Sequence, residues 1–335
     1  MRLHRSRLAL LATGLVVALG ASACSGSDEL VVYSGRGQNL VGPLLEQFAE
    51  DTGIPIAVRY ADSSELALLL EEEGEATDAD VVYMQTPGAV AFLGQRDRLA
   101  TLESSTLEQV PEQFRSENDR WVGVTGRQRV LVYNQDTVDE SELPDSVFDL
   151  TTDEYAGRVA VAPPNGSFQD FVSAMRLQEG DDRTREWLEG LVANDVRTYP
   201  NNNAIVEAVG RGEIDMGLVN HYYNFRFLAE DPDLPSRNHR FPDGDIGALV
   251  ITSSAGIVEG TDQPEWAQQF VDYLLTEDAQ QYFRDETFEY PLAGDLEADP
   301  ELPSLADQDL PQVDIDRLGE DLASTVEMIQ DSGLQ

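Results

Sequence analysis

The segment "GVTGRQRVLVYN" (residues 123–134) is one unbroken β run that carries two arginines. Strand-like and helix-like stretches alternate on both sides of it. On the N-terminal side, "ELVVYS" (29–34) is a short β-rich run, and "LVGPLLEQFAEDTG" (40–53) has helical spacing and ends at a glycine. "IPIAVRY" (54–60) alternates as a strand, Ser63 or Ser64 is placed to cap a helix over "ELALLLEEEG", and "ADVVYM" (79–84) is the next strand. On the C-terminal side, "GRVAVAPP" (157–164) leads into helices from about Ser167 to Leu177 and over "TREWLEGLVAN". A short helix "AIVEAVGRG" (204–212) and a strand "DMGLV" (215–219) follow. This rhythm predicts parallel α/β layers. A long β run between two such blocks reads as a strand that crosses from one lobe into another. Open α/β sheets bind ligands beyond the carboxyl ends of their strands. Two lobes joined in this way can present those ends to a single cleft. The expected division is 29–125 with about 250–300 in the first lobe, and 126–249 with about 301–335 in the second.

The chain has 335 residues, enough for two lobes of ordinary size. Arg2, Arg5 and Arg7 precede an apolar run, "LALLATGLVVALGASA" (8–23), that ends in small residues. This reads as an export signal, too short for a typical membrane span. The only cysteine, Cys24, follows at once in "ASAC", which resembles a lipobox with Ala21 where leucine is commoner. The expectation is a lipid on Cys24, a tether over 24–28, and a protein anchored to the outer face of the cytoplasmic membrane. With one cysteine in the chain, disulfides and cysteine-rich metal sites are excluded.

The formal net charge is −41, and every basic residue is arginine. Such acidity argues against nucleic acid or anionic lipid as a partner. The acidic block "EEEGE" (71–75) lacks the spacing of a calcium loop and reads as solvated surface suited to a salty medium.

Five loops follow the expected strands: "YSGRGQN" (33–39), "YMQTPG" (83–88), "PPNGSF" (163–168), "YPNNN" (199–203) and "NHYYN" (220–224). None has the GxGxxG or P-loop pattern. Asn165 or Ser167 can cap one helix, and Asn202 or Asn203 another. The free N–H groups of such helix starts can equally hold an anion. Tyr222 and Tyr223 are either packing residues or a pair of hard oxygen ligands suited to a trivalent cation. A charge of +3 lowers a phenol's pKa well below its usual value of about 10. Local sequence leaves both choices open.

The stretches "VVYSGRGQNLVGPLLEQF" (31–48), "GVTGRQRVLVYN" (123–134), "GRVAVAPPNGSFQDFV" (157–172), "YPNNNAIVEAV" (199–209), "GEIDMGLVNHYY" (212–223) and "FEYPLAG" (288–294) resemble, in that order, the ferric-iron-binding proteins of bacterial ABC importers. The resemblance runs from about residue 29 to the end. It implies a two-lobed periplasmic-binding-protein fold, type II-like, with crossover strands and an interlobe cleft. It also implies a monomeric receptor that holds Fe(3+) and delivers it to a permease and ATPase complex. Tyr222 and Tyr223 match the iron-binding tyrosine pair. Asn165, Gly166 and Ser167, with Asn202 and Asn220, match segments that hold a synergistic anion, carbonate or phosphate. Arg36 matches an arginine that helps neutralise that anion. Gln85, Gly37 and Arg127 fall on further cleft positions.

The match has departures. Gly37 stands where many relatives have a histidine ligand, Gln85 where many have glutamate, and Phe168 where some have a third tyrosine. The anion or water must then supply more of the coordination. Iron(III) with two phenolates leaves one positive charge, a carbonate dianion reverses it, and Arg36 restores neutrality, which a partly desolvated cleft favours.

Two other readings compete. The same fold can serve a receptor for an organic cation such as a polyamine or thiamine, with aromatic residues as a cage. A hydrolase would use Ser167 with His221, the histidine beside the pair; His221 and His239 are expected at exposed loop positions. The receptor reading carries no catalytic residue.

Overall fold

The computed structural model describes residues 29–311, 313–319 and 322–334. The leader, the tether and Cys24 therefore lie outside the described residues. The first half begins with β1 (Leu30–Ser34), α1 (Gln38–Thr52), β2 (Ile56–Tyr60), α2 (Ser63–Glu73), β3 (Val81–Met84), α3 (Pro87–Gln95) and α4 (Ser104–Leu107). The long strand β4 (Val122–Asn134) follows. After it come β5 (Val159–Val161), α5 (Gly166–Glu179), α6 (Asp181–Ala193), β6 (Arg197–Thr198), α7 (Asn202–Gly210), β7 (Met216–Asn220), α8 (His221–Glu230) and β8 (Ser236–His239). The chain then adds β9 (Val250–Ile257), α9 (Pro264–Leu274), α10 (Glu277–Glu286), β10 (Tyr290–Pro291), α11 (Ile315–Leu318) and α12 (Leu322–Asp331).

β4 organises everything else. The strand order is β2-β1-β3-β9-β4-β7-β5-β6, with β10 and β8 also paired to β4. Along its first part β4 pairs with β9, as far as Gln128 opposite Val250. From Arg129, opposite Asn220, it pairs with β7. The partner change thus falls between Gln128 and Arg129. All 13 residues of β4 are buried, because the strand has neighbours on both edges and helices or loops over both faces. On either side the sheet is parallel: β1 with β2 and β3, and β5 with β6 and β7. The carboxyl ends of β1 and β3 therefore face those of β5 and β7 across the partner change.

Two helix starts differ from expectation. α2 has Asp62 at its N-cap with no side-chain cap bond, and Ser63 is its first residue. The Ser63 hydroxyl instead accepts the backbone N–H of Gln85, 2.9 Å away, and so fixes the loop after β3. α7 is capped by Asn201, whose side chain accepts from the Ala204 N–H at 3.0 Å. Three adjacent asparagines are equally good caps on paper. Asn201 takes the role because Asn202 is buried and engaged elsewhere.

The C-terminal segment touches both halves. α11 packs on α3, and α12 packs on α5. Asp316 of α11 accepts from the Trp121 indole at 2.7 Å and from the Glu117 N–H at 2.8 Å.

Candidate metal centre

Tyr222 and Tyr223 are the second and third residues of α8, at the carboxyl end of β7. Their rings stack, with centroids 4.2 Å apart and planes inclined by 28°. Both rings belong to an apolar cluster with Val130, Val132, Ile205 and Val219. The packing reading is therefore right for the rings. It fails for the Tyr222 hydroxyl, which is buried without a hydrogen-bond partner among the described residues. A buried hydroxyl left unbonded costs about 1–3 kcal/mol unless a ligand meets it. Burial, then the neighbouring Tyr223, push the Tyr222 phenol well above its usual pKa, while Arg36 and Arg127 pull it down.

Three guanidiniums converge beside the pair. Arg36 follows β1 and pairs with Glu289, both side chains being fully buried. Glu289 also accepts from Thr287 Oγ1 at 2.8 Å and Thr125 Oγ1 at 3.1 Å, with Arg127 Nε 3.7 Å away. Arg127 donates to the backbone carbonyls of Gln85 and, at 2.7 Å, Thr252. Arg129 donates to Asn220 Oδ1 at 3.1 Å and Ser167 Oγ at 3.4 Å. Each arginine keeps two buried guanidinium nitrogens without a hydrogen-bond partner. Burial pulls Arg129 down to about 9, opposed by Tyr223 and reinforced by Arg127. Three buried cations share one ion-paired carboxylate, so the pocket is short of negative charge.

The expected anion segments gather around Arg129. Asn165 caps α5, accepting the Ser167 N–H at 3.1 Å and the Ser167 hydroxyl at 2.5 Å. Asn202 donates to Asn165 Oδ1 at 3.4 Å and Ser167 Oγ at 3.3 Å, and its own Oδ1 has no partner. Asn220 Nδ2 is likewise unpartnered. Gly166 sits at the first turn of α5, where an added Cβ would lie 3.1 Å from Thr86 Cγ2 in the opposite half. Gly37 is only the N-cap of α1 and brings no ligand atom. Gln85 contributes its backbone to Arg127 and Ser63. Phe168 lies in the core against Trp187, with ring centroids 6.4 Å apart.

The histidine expectation is corrected. His221 is buried in the first turn of α8, and His239 is a partly buried residue of β8. His221 Nδ1 accepts the Gln128 N–H at 3.0 Å, and its Nε2 lies 2.7 Å from the Phe288 carbonyl. Both nitrogens are occupied, so His221 cannot serve Ser167 as a base. Burial holds its pKa down, at about 4.

Sequence reasoning missed Arg129, Glu289 and Tyr83. Arg129 is two residues from Arg127 on one strand, so period-2 alternation places both on the same face. Tyr83 on β3 is fully buried beside Ser253, its phenol pushed up to about 12 by burial against the pull of Arg36 and of Ser253. Among the described residues no group of three or more His, Cys, Asp or Glu could hold a metal.

Two α/β halves meet over a buried, donor-rich cluster at the carboxyl ends of their strands, the arrangement of a bilobal solute receptor. The chain belongs to the bacterial extracellular solute-binding proteins, whose family model matches residues 77–320. It is 33% identical to an Fe(3+)-binding periplasmic protein of Serratia marcescens, over 100% of each chain. It is 30% identical to a major ferric iron-binding protein of Neisseria meningitidis serogroup B, over 98% of each. The fold superposes on iron-bound HitA from Pseudomonas aeruginosa with a TM-score of 0.87 and 35% identity, covering 91% of this chain and 99% of that one. No helix among the described residues is long and apolar enough to cross a membrane.

Proposed function

We propose that this protein is the extracytoplasmic ferric-iron receptor of an ABC importer. Iron(III) is held in the interlobe cleft by Tyr222 and Tyr223 with a synergistic anion, and is passed to a permease and its ATPase. Lipid attachment at Cys24, and the lobe division set out above, belong to the same reading. The observation that carries it is the stacked tyrosine pair, with a buried unbonded hydroxyl, beside three incompletely bonded guanidiniums.

The charge sum differs from the one drawn with Arg36 alone. Iron(III) and two phenolates leave one positive charge. Arg36, Arg127 and Arg129 against the single Glu289 carboxylate add two more. A carbonate dianion falls short of neutrality by one charge, as does hydrogen phosphate; only a phosphate bound as the trianion reaches it. Its oxygens can take the open N–H groups of Arg127, Arg129 and Asn220, with Ser167 and the start of α5 beside them. The same surplus of positive charge argues against an organic cation as cargo.

Phenolate bound to iron(III) absorbs visible light, so the loaded protein is expected to be coloured. The Tyr222→Phe, Tyr223→Phe double variant keeps both rings and removes both oxygens. It is expected to lose the colour and nearly all iron affinity, while the apo protein melts no lower than the wild type because an unbonded buried hydroxyl has been removed. A double variant that binds iron with native affinity and colour would return the pair to plain core packing.

A further inference from the structure

We propose that His221 is a positioning residue: it ties the tyrosine pair to the Phe288–Glu289 segment, whose carboxylate pairs with Arg36 and lies 3.7 Å from Arg127, so that metal and anion are held in register. The inference rests on the iron reading above.

The imidazole joins three segments. Its ring stands at the start of α8, one residue before Tyr222, and lies edge-on to the Tyr222 ring with centroids 6.2 Å apart. Nδ1 accepts the N–H of Gln128, the last β4 residue before the strand changes partner. Because an amide can only donate, Nδ1 carries no proton, and the proton sits on Nε2. Nε2–H then donates to the Phe288 carbonyl at 2.7 Å.

Phe288 has φ +58°, a left-handed conformation that a phenylalanine rarely takes. That conformation persists because both sides of the residue are fixed. His221 holds the Phe288 carbonyl, and the next residue, Glu289, is clamped by Arg36, Thr287 and Thr125. One neutral ring therefore spans the second half's phenols, the strand between the halves, and the Phe288–Glu289 segment that holds Arg36 and faces Arg127. A Tyr290 ring 5.2 Å away and the Tyr290 hydroxyl, donating to Gln128 Oε1 at 3.3 Å, close the same knot.

Outer contacts of this kind typically change metal affinity ten- to a hundredfold. The test uses iron(III) supplied as its nitrilotriacetate, with and without phosphate, on the wild type, His221→Ala and His221→Gln. In His221→Ala the visible band is expected to shift, iron affinity to fall by about ten- to a hundredfold, and the gain in affinity from added phosphate to shrink. In His221→Gln one amide can both accept from Gln128 and donate to Phe288, so band position and phosphate gain are expected to move back toward wild type. A His221→Ala protein with the wild-type band and wild-type phosphate gain would overturn the proposal. If alanine does not fold, His221→Asn replaces it, being one methylene too short to reach both partners. Asparagine and glutamine variants that match each other and the wild type would then overturn it. A wild type that takes up no iron and stays colourless defeats the iron reading itself, a result distinct from any difference among variants.

Discussion

Asp170 shows how much one buried side chain can hold. It lies on α5 of the second half and faces Gly88 at the start of α3 in the first. Burial pushes its carboxyl up to about 7, against the pull of the Gly88 N–H and of Arg127. An unfolded aspartic acid titrates near 3.9. Between those values the folded protein keeps a proton that the unfolded chain has lost, so stability falls as pH rises through that window. Relative to wild type, Asp170→Asn is expected to gain about 2–3 kcal/mol between pH 5 and pH 8. Denaturant titrations at the two pH values measure it, and parallel profiles would refute the assignment. Single residues were also where the sequence was least legible. The tyrosine pair could be named from its motif, but its environment could not. Arg36 and Glu289 are 253 residues apart, and no local pattern announces that they meet. His221 looked like a loop residue because its two backbone partners come from distant segments.

At the level of elements the sequence was far more transparent. Alternation and glycine punctuation gave β1 to β3 with α1 and α2, and β5, β7 and α5 to α7, since those signals are local, whereas β8 to β10 and α9 to α12 were not read. β4 was legible as a crossing strand because no helix signal interrupts it between two α/β blocks. Helix starts slipped by a residue where several cap formers stood together, as at Asn201–Asn203. The starts of α3 and α5 abut, and on the proposed reading this is the contact that closure makes. A Cβ added at Gly88 would lie 2.9 Å from Asp170 Oδ1. Gly88→Ala is therefore expected to spare α3, where alanine is the better helix former, and to penalise the closed form. Overpacking of about 1–2 kcal/mol corresponds to roughly a tenfold loss of iron affinity. Small-angle scattering with iron should then report a larger radius than for the loaded wild type. Unchanged affinity and radius would mean that the two helix starts do not have to meet.

For the whole molecule, charge is the dominant property. A net charge of −41 with no lysine sets the surface against itself. The Debye length shrinks from about 10 Å at 0.1 M salt to about 3 Å at 1 M. Screening is expected to raise the apo melting temperature steadily over that range, and a steady fall would contradict it. The same acidity encloses a pocket of the opposite sign, a contrast that composition alone could not reveal.

The strand shared by the two halves gives that pocket a particular mechanics. Arg127 is fastened to Gln85 and Thr252, whereas Arg129, two residues on, is fastened to Asn220 and Ser167. Rotation about the peptides between them carries each guanidinium away with its own half. The positive potential that grips an anion is then concentrated only while the molecule is shut. Opening divides it, much as drawing apart two halves of an electrode lowers the field between them. On the proposed iron reading, discharge would then need no separate trigger at the binding site, because the motion that uncovers the ion would also dismantle the field that kept it there.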